Sequence, residues 1–228
     1  MRANHPVPLG ATVGSAPSGV RLLWIGASAL GSLIGAVAAL TFFPSAAFGA
    51  NPTGQFGWHL VGFASLIGAA LGLSQWVVLR HLLKPANATD RLLLHLWIPA
   101  TSLGIVAMLM PLWWRDAEVF ILLPWMSAGP MIPGIVLLGI LQQLILRRLI
   151  SIRLHWIPPT LIGVTIGSTL GLIAVIGVAL FTIENRIAIQ FSIDLAWSSV
   201  TGIFLGLFQA RALAANLPTG RRHEDLRP

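Results

Sequence analysis

Six long apolar runs, none with Asp, Glu, Lys or Arg in its interior, decide what this chain can fold into. They are Leu22 to Phe43, Leu60 to Leu79, Leu92 to Trp114, Val119 to Leu146, Trp156 to Phe181 and Leu195 to Ala210. Several approach or exceed the roughly 20 residues a helix needs to cross a bilayer. The sixth is short and is expected to continue past Arg211, whose stem can reach the headgroups. Of the 228 residues 56% are hydrophobic and 9% charged, against about a quarter charged in ordinary soluble domains. A soluble fold has nowhere to hide that much apolar surface. The chain therefore reads as an all-α polytopic membrane protein of six transmembrane helices.

Twelve of the fourteen basic residues fall on one side of such a bundle. They are Arg2 and Arg21, then Arg80, Lys84 and Arg91, then Arg147, Arg148 and Arg153, and finally Arg211, Arg221, Arg222 and Arg227. The other side has Arg115 and Arg186 with Asp116, Glu118, Glu184 and Asp194. By the positive-inside rule both termini are cytoplasmic. Trp58, Trp113, Trp114, Trp125 and Trp197 then fall near the outer interface and Trp24, Trp76 and Trp156 near the inner one, as aromatic belts. Residues 1–20 and 216–228 are rich in small, polar or charged residues and are expected to be mobile tails flanking a membrane domain over 21–211. Pro124, Pro130 and Pro133 predict kinked or irregular first turns in the fourth helix.

Net charge is +7, but the basic residues sit in short loops and tails, the pattern of a topology signal rather than of a nucleic-acid partner. The absence of cysteine removes disulfides, thiolate metal sites and cysteine nucleophiles together.

The most specific signal is a string repeated near the inner end of each even-numbered helix. Leu71-Gly72-x-x-Gln75, Leu138-Gly139-x-x-Gln142 and Leu205-Gly206-x-x-Gln209 return every 67 residues. Odd-numbered helices echo one another through Leu30-Gly31, Leu103-Gly104 and Leu170-Gly171, the last two again 67 apart. Self-similarity at a fixed period marks a duplicated supersecondary unit. The chain divides into three tandem two-helix hairpins, approximately 21–84, 85–153 and 154–215. Each has an even number of spans, so all enter from one side, and the simplest arrangement is pseudo-threefold about an axis along the membrane normal.

Gly31 and Gly35, Gly68 and Gly72, Gly163, Gly167 and Gly171, and Gly202 and Gly206 recur at four-residue spacing, and Gly139 shares the repeated string. That spacing puts glycines on one helix face, where two backbones approach closely. Gln75, Gln142 and Gln209 lie inside the predicted boundary, where an unbonded primary amide is costly. Three roles compete: hydrogen bonds between helices that fix register, contact with lipid headgroups beside the arginines, or a polar binding ring for an ion, substrate or pigment. His95, one turn into the third run, is a candidate ligand for a metal or pigment. It has no His, Asp or Glu three or four residues on, which favours an interfacial or core histidine.

The segment Gly72-Leu-Ser-Gln75-Trp76-Val-Val-Leu-Arg80 resembles the repeated Gly-x-x-Gln-Trp-x-x-Leu-Arg helix end of uncharacterised multi-pass membrane proteins of the cyanobacterial and Chloroflexi type. The match is full in the first copy; Gln143 and Ala210 replace the tryptophan in the others. The resemblance implies a bacterial inner membrane and carries no known activity. Mitochondrial carriers also have three two-helix repeats, but their Pro-x-acidic-x-x-basic element is absent.

No intramembrane charge is present for a proton relay or ion coupling, and no phosphate loop, zinc helix or nucleophile elbow appears. The sequence thus predicts no catalytic and no metal residues. Its leading reading is a non-enzymatic scaffold or accessory subunit that meets lipids, other membrane subunits or itself. The alternatives are a small transporter or channel for a neutral or lipophilic solute, and a pigment- or quinone-binding subunit using His95 and the tryptophans.

Overall fold

The computed structural model describes residues 18–43, 55–85, 87–110, 124–150, 155–181 and 186–216. They form seven helices and, among the described residues, no strand: α1 Ser18–Phe42, α2 Gln55–Leu83, α3 Ala88–His95, α4 Trp97–Leu109, α5 Pro124–Ile150, α6 Ile157–Phe181 and α7 Arg186–Asn216. α3 and α4 together make one apolar rod, Ala88–Leu109. That rod, α1 and long stretches of α2, α5 and α7 are long and apolar enough to cross a membrane. In α6 the apolar stretch described with side chains is Ile157–Gly171. Residues 1–17 and 217–228, Trp113, Trp114, the Trp125 side chain and the expected helix start at Val119 lie outside the described residues.

Local chemistry explains the ends and the break. Pro99 cannot donate to the His95 carbonyl, so the third rod turns at Leu96 and resumes as α4. In α5 the helix runs unbroken from Pro124 through Pro130 and Pro133, so the expected irregular start is not seen. Pro124 takes the first position, where a missing donor is harmless. α2 ends on Lys84, whose φ of 43° is left-handed and whose N–H reaches the Arg80 carbonyl at 3.3 Å. That terminal geometry normally selects glycine. Lys84→Gly is expected to raise stability by about 0.5–1 kcal/mol, read as a higher thermal unfolding midpoint in detergent.

Each rod packs on two neighbours and the ring closes: α1 on α2, α2 on α4, α4 on α5, α5 on α6, α6 on α7, and α7 back on α1. Leucines, isoleucines and valines such as Leu22, Ile34, Val77, Leu103, Leu144 and Ile173 face outward, the reverse of a water-soluble surface.

Glycines set the helix separations. A Cβ placed on Gly31, Gly35, Gly163, Gly167 or Gly171 would stand 2.7–3.1 Å from a backbone Cα of the paired helix, at Leu71, Ile67, Leu205, Thr201 and Trp197 in turn. Those contacts lie within the α1–α2 and α6–α7 hairpins. Gly68, Gly72, Gly139 and Gly206 likewise approach the Cα atoms of Ser102, Ile98, Ile157 and Ile25 to 2.5–3.1 Å, while Gly202 approaches the Ser28 carbonyl to 2.7 Å. These five contacts join one hairpin to the next. Gly134 of α5, which has no glycine four residues away, sits tightest of all against the backbone of Met108.

Candidate functional site

The three glutamines meet inside the ring. Each lies on the inward stripe of its helix with leucines one turn to either side: Leu71, Gln75 and Leu79; Leu138, Gln142 and Leu146; Leu205, Gln209 and Leu213. Four-residue spacing keeps each trio on one face. All three glutamines are fully buried. The leucines on one side join an apolar cluster containing Ile67, Ile105 and Val164. Those on the other side join a cluster built on Trp24, Trp97 and Trp156. The amides therefore form a polar layer between two apolar ones.

A buried amide is tolerated when its donors and acceptors are occupied, and here the bonds recur in one pattern. Each Nε2 donates to a hydroxyl on the preceding rod: Gln75 to Ser28 at 2.9 Å, Gln142 to Thr101 at 3.1 Å and Gln209 to Thr160 at 3.0 Å. The indole N–H of Trp97 donates to Gln75 Oε1 at 3.1 Å, and that of Trp156 to Gln142 Oε1 at 2.8 Å. Amide-to-amide bonds add to this: Gln209 Nε2 donates to Gln142 Oε1 at 3.0 Å, and Gln75 Nε2 to Gln209 Oε1 at 3.3 Å. Thr101 and Thr160 donate their hydroxyl protons to the carbonyls of Trp97 and Trp156, leaving the oxygens free to accept from the amides.

Beside this layer the rings of Trp24, Trp97 and Trp156 stand mutually edge-to-face, with centroids 5.9–6.1 Å apart. Such T-shaped geometry suits the aromatic quadrupole, and the triangle fills the middle of the bundle. No protein-family model, curated protein or solved structure matches this chain.

The tryptophan triangle corrects the belt assignment. Trp24 and Trp156 are fully buried in the interior rather than at an interface, and Trp97, given no role by the sequence, is their equal. Trp197 is half-buried and lines a small axial cavity, about 20 Å³, with Ser32, Ser198, Thr201 and Leu205. Trp58 is exposed and Trp76 half-buried.

The contacts also correct the register of the odd-numbered helices. Trp24-Ile25, Trp97-Ile98 and Trp156-Ile157 are each followed four residues on by the hydroxyl that serves a glutamine, and seven on by Gly31, Gly104 and Gly163. Gly163, not Gly171, is thus the counterpart of Gly31 and Gly104. Gly72, Gly139 and Gly206 abut Ile98, Ile157 and Ile25, the residues after the tryptophans. The repeated string now has a physical reading: leucine fills the core, glycine lets the next hairpin approach, and glutamine three residues on takes its polar groups.

The pattern breaks at one station. Trp24 Nε1 is buried with no partner, although the other two tryptophans each donate to a glutamine. His95 stands apart from the ring. It ends α3, is exposed, and stacks on Trp76 with centroids 5.0 Å apart. Among the described residues no group of three His, Asp or Glu side chains could hold a metal ion.

Proposed function

We propose that the chain is a six-span protein of a bacterial inner membrane, with both termini cytoplasmic. In this reading three two-helix hairpins surround a pseudo-threefold axis and act as a rigid, non-enzymatic scaffold or accessory subunit. The observation that carries it is the polar layer: donors and acceptors of Gln75, Gln142 and Gln209 are occupied by one another and by Ser28, Thr101, Thr160, Trp97 and Trp156. Groups so engaged fix register and resist rearrangement, which suits a framework that other subunits or lipids pack against. The test is native purification from the source membrane in mild detergent. A defined co-purifying membrane subunit supports the subunit role; a lone monomer with no partner removes it.

A second reading, a conduit for a small neutral or lipophilic solute, is favoured by one observation: the three amides converge on the axis instead of pointing apart. Against it, the tryptophan triangle closes the axis on one side of the amides. Proteoliposomes that pass no small neutral solute faster than empty vesicles would dispose of it. The pigment or quinone reading fails if the purified protein is colourless and yields no extractable cofactor.

A further inference from the structure

One element of the repeat is complete only in the first hairpin, and the polar layer does not use it. The residue after each glutamine is Trp76, Gln143 or Ala210. Gln143 Oε1 accepts the backbone N–H of Trp156 at 2.9 Å, and Ala210 is buried. Trp76 does something else. The exposed guanidinium of Arg80, one turn on, lies 5.2 Å from its ring centroid, and His95 of α3 stacks against the same indole.

This stack carries two exposed donor side chains, Arg80 and His95, with no protein acceptor. Arg80 makes no ion pair among the described residues, and the indole N–H of Trp76, which is buried, has no acceptor either. His81 and Lys84 follow on the same helix end, and Arg91 lies on α3; all three are exposed. Among the residues whose side chains are described, the one carboxylate is Asp90, in the first turn of α3. A guanidinium lying over an aromatic ring loses some of its freedom to that contact, and its N–H donors, unpaired with any carboxylate, can serve a planar or tetrahedral oxyanion. The cluster ends an apolar rod, at the depth where a headgroup would sit.

We propose that Arg80, Trp76 and His95 form a binding site for the phosphate of an anionic phospholipid, between α2 and α3 at the basic end of the bundle. The proposal rests on the reading that the bundle spans a bilayer. Arg80 supplies the charge and the forked donors, Trp76 holds the guanidinium in place, and Lys84 and Arg91 raise the local potential. The other two hairpins lack the aromatic platform and offer diffuse charge only.

The test uses the full chain in detergent, titrated with short-chain phosphatidylglycerol or phosphatidylcholine, with bound lipid counted by native mass spectrometry. Phosphatidylglycerol is expected to be retained in preference. Arg80→Gln should weaken its retention about fivefold, since one basic residue near a headgroup contributes on that order. Trp76→Leu should weaken it with the charge intact, whereas Arg148→Ala, which removes an exposed arginine at the same end, should leave it nearly unchanged. Equal retention of both lipids, or equal losses in Arg80→Gln and Arg148→Ala, overturns the site. Extraction from vesicles by alkaline carbonate is scored separately, because release there would sink the membrane reading itself.

Discussion

Gly134→Leu is expected to be the most damaging single glycine substitution in the chain. A side chain at that position enters the backbone of Met108 on α4, closer than real Cβ atoms approach other atoms. Nothing flexible stands in the way that could rotate aside, so α4 and α5 must separate. Alanine there should cost about 1–3 kcal/mol, the usual range for overpacking a tight interface, and leucine more. Intrinsic propensity works in the opposite direction, glycine being about 0.8–1 kcal/mol less favourable than alanine in a helix and leucine ranking just below alanine, so any loss reports packing. Gly26→Leu supplies the control, because a Cβ at Gly26 meets nothing within 4 Å. The measurement is the thermal midpoint and the yield of monodisperse protein in detergent. Equal behaviour of Gly134→Leu and Gly26→Leu would show that α4 and α5 do not pack as described.

Helix positions were legible in the sequence because they depend on a single physical demand, long uncharged apolar stretches. Only their ends moved, as in α3, where Pro99 breaks the rod before Trp97. The glutamines were legible for a related reason. Polar amides are rare within apolar runs, so three of them in one register stand out. Their mutual contact was not readable, since the sequence favoured a register role but left the headgroup and binding roles open beside it.

Trp97 and the hydroxyls at Ser28, Thr101 and Thr160 were missed because their spacing is not constant. Trp24, Trp97 and Trp156 are 73 and 59 residues apart, so a search at a period of 67 passes over them. α6 also offers Gly163, Gly167 and Gly171 on one face, and any of them matches a Leu-Gly or Ile-Gly echo. Only the side-chain contacts select Gly163. Tryptophan near a helix end is equally compatible with a lipid interface and a buried triangle, and burial alone separates the two. Gly134 escaped because the four-residue criterion needs a second glycine, and Pro130 and Leu138 occupy those places.

Gln142→Leu tests the polar layer itself. Leucine nearly matches glutamine in volume, so packing survives while three hydrogen bonds vanish: those from Trp156 Nε1 and Gln209 Nε2, and that to Thr101. Interhelical hydrogen bonds in membranes are worth about 0.6 kcal/mol each on average and up to about 1.7, and stranding the buried indole and amide donors adds to the loss. The expected cost is about 2–4 kcal/mol, seen as a fall in the unfolding midpoint in mild detergent. Trp156→Phe, which keeps an aromatic ring in the triangle, should cost less. If the indole N–H acts through Gln142, the two losses overlap, and the double variant should be more stable than their sum by about 1 kcal/mol. Additive losses would mean that the two side chains stabilise the bundle independently. A neutral Gln142→Leu would remove the register role, because an amide in contact with headgroups or solvent gives up little when it becomes leucine.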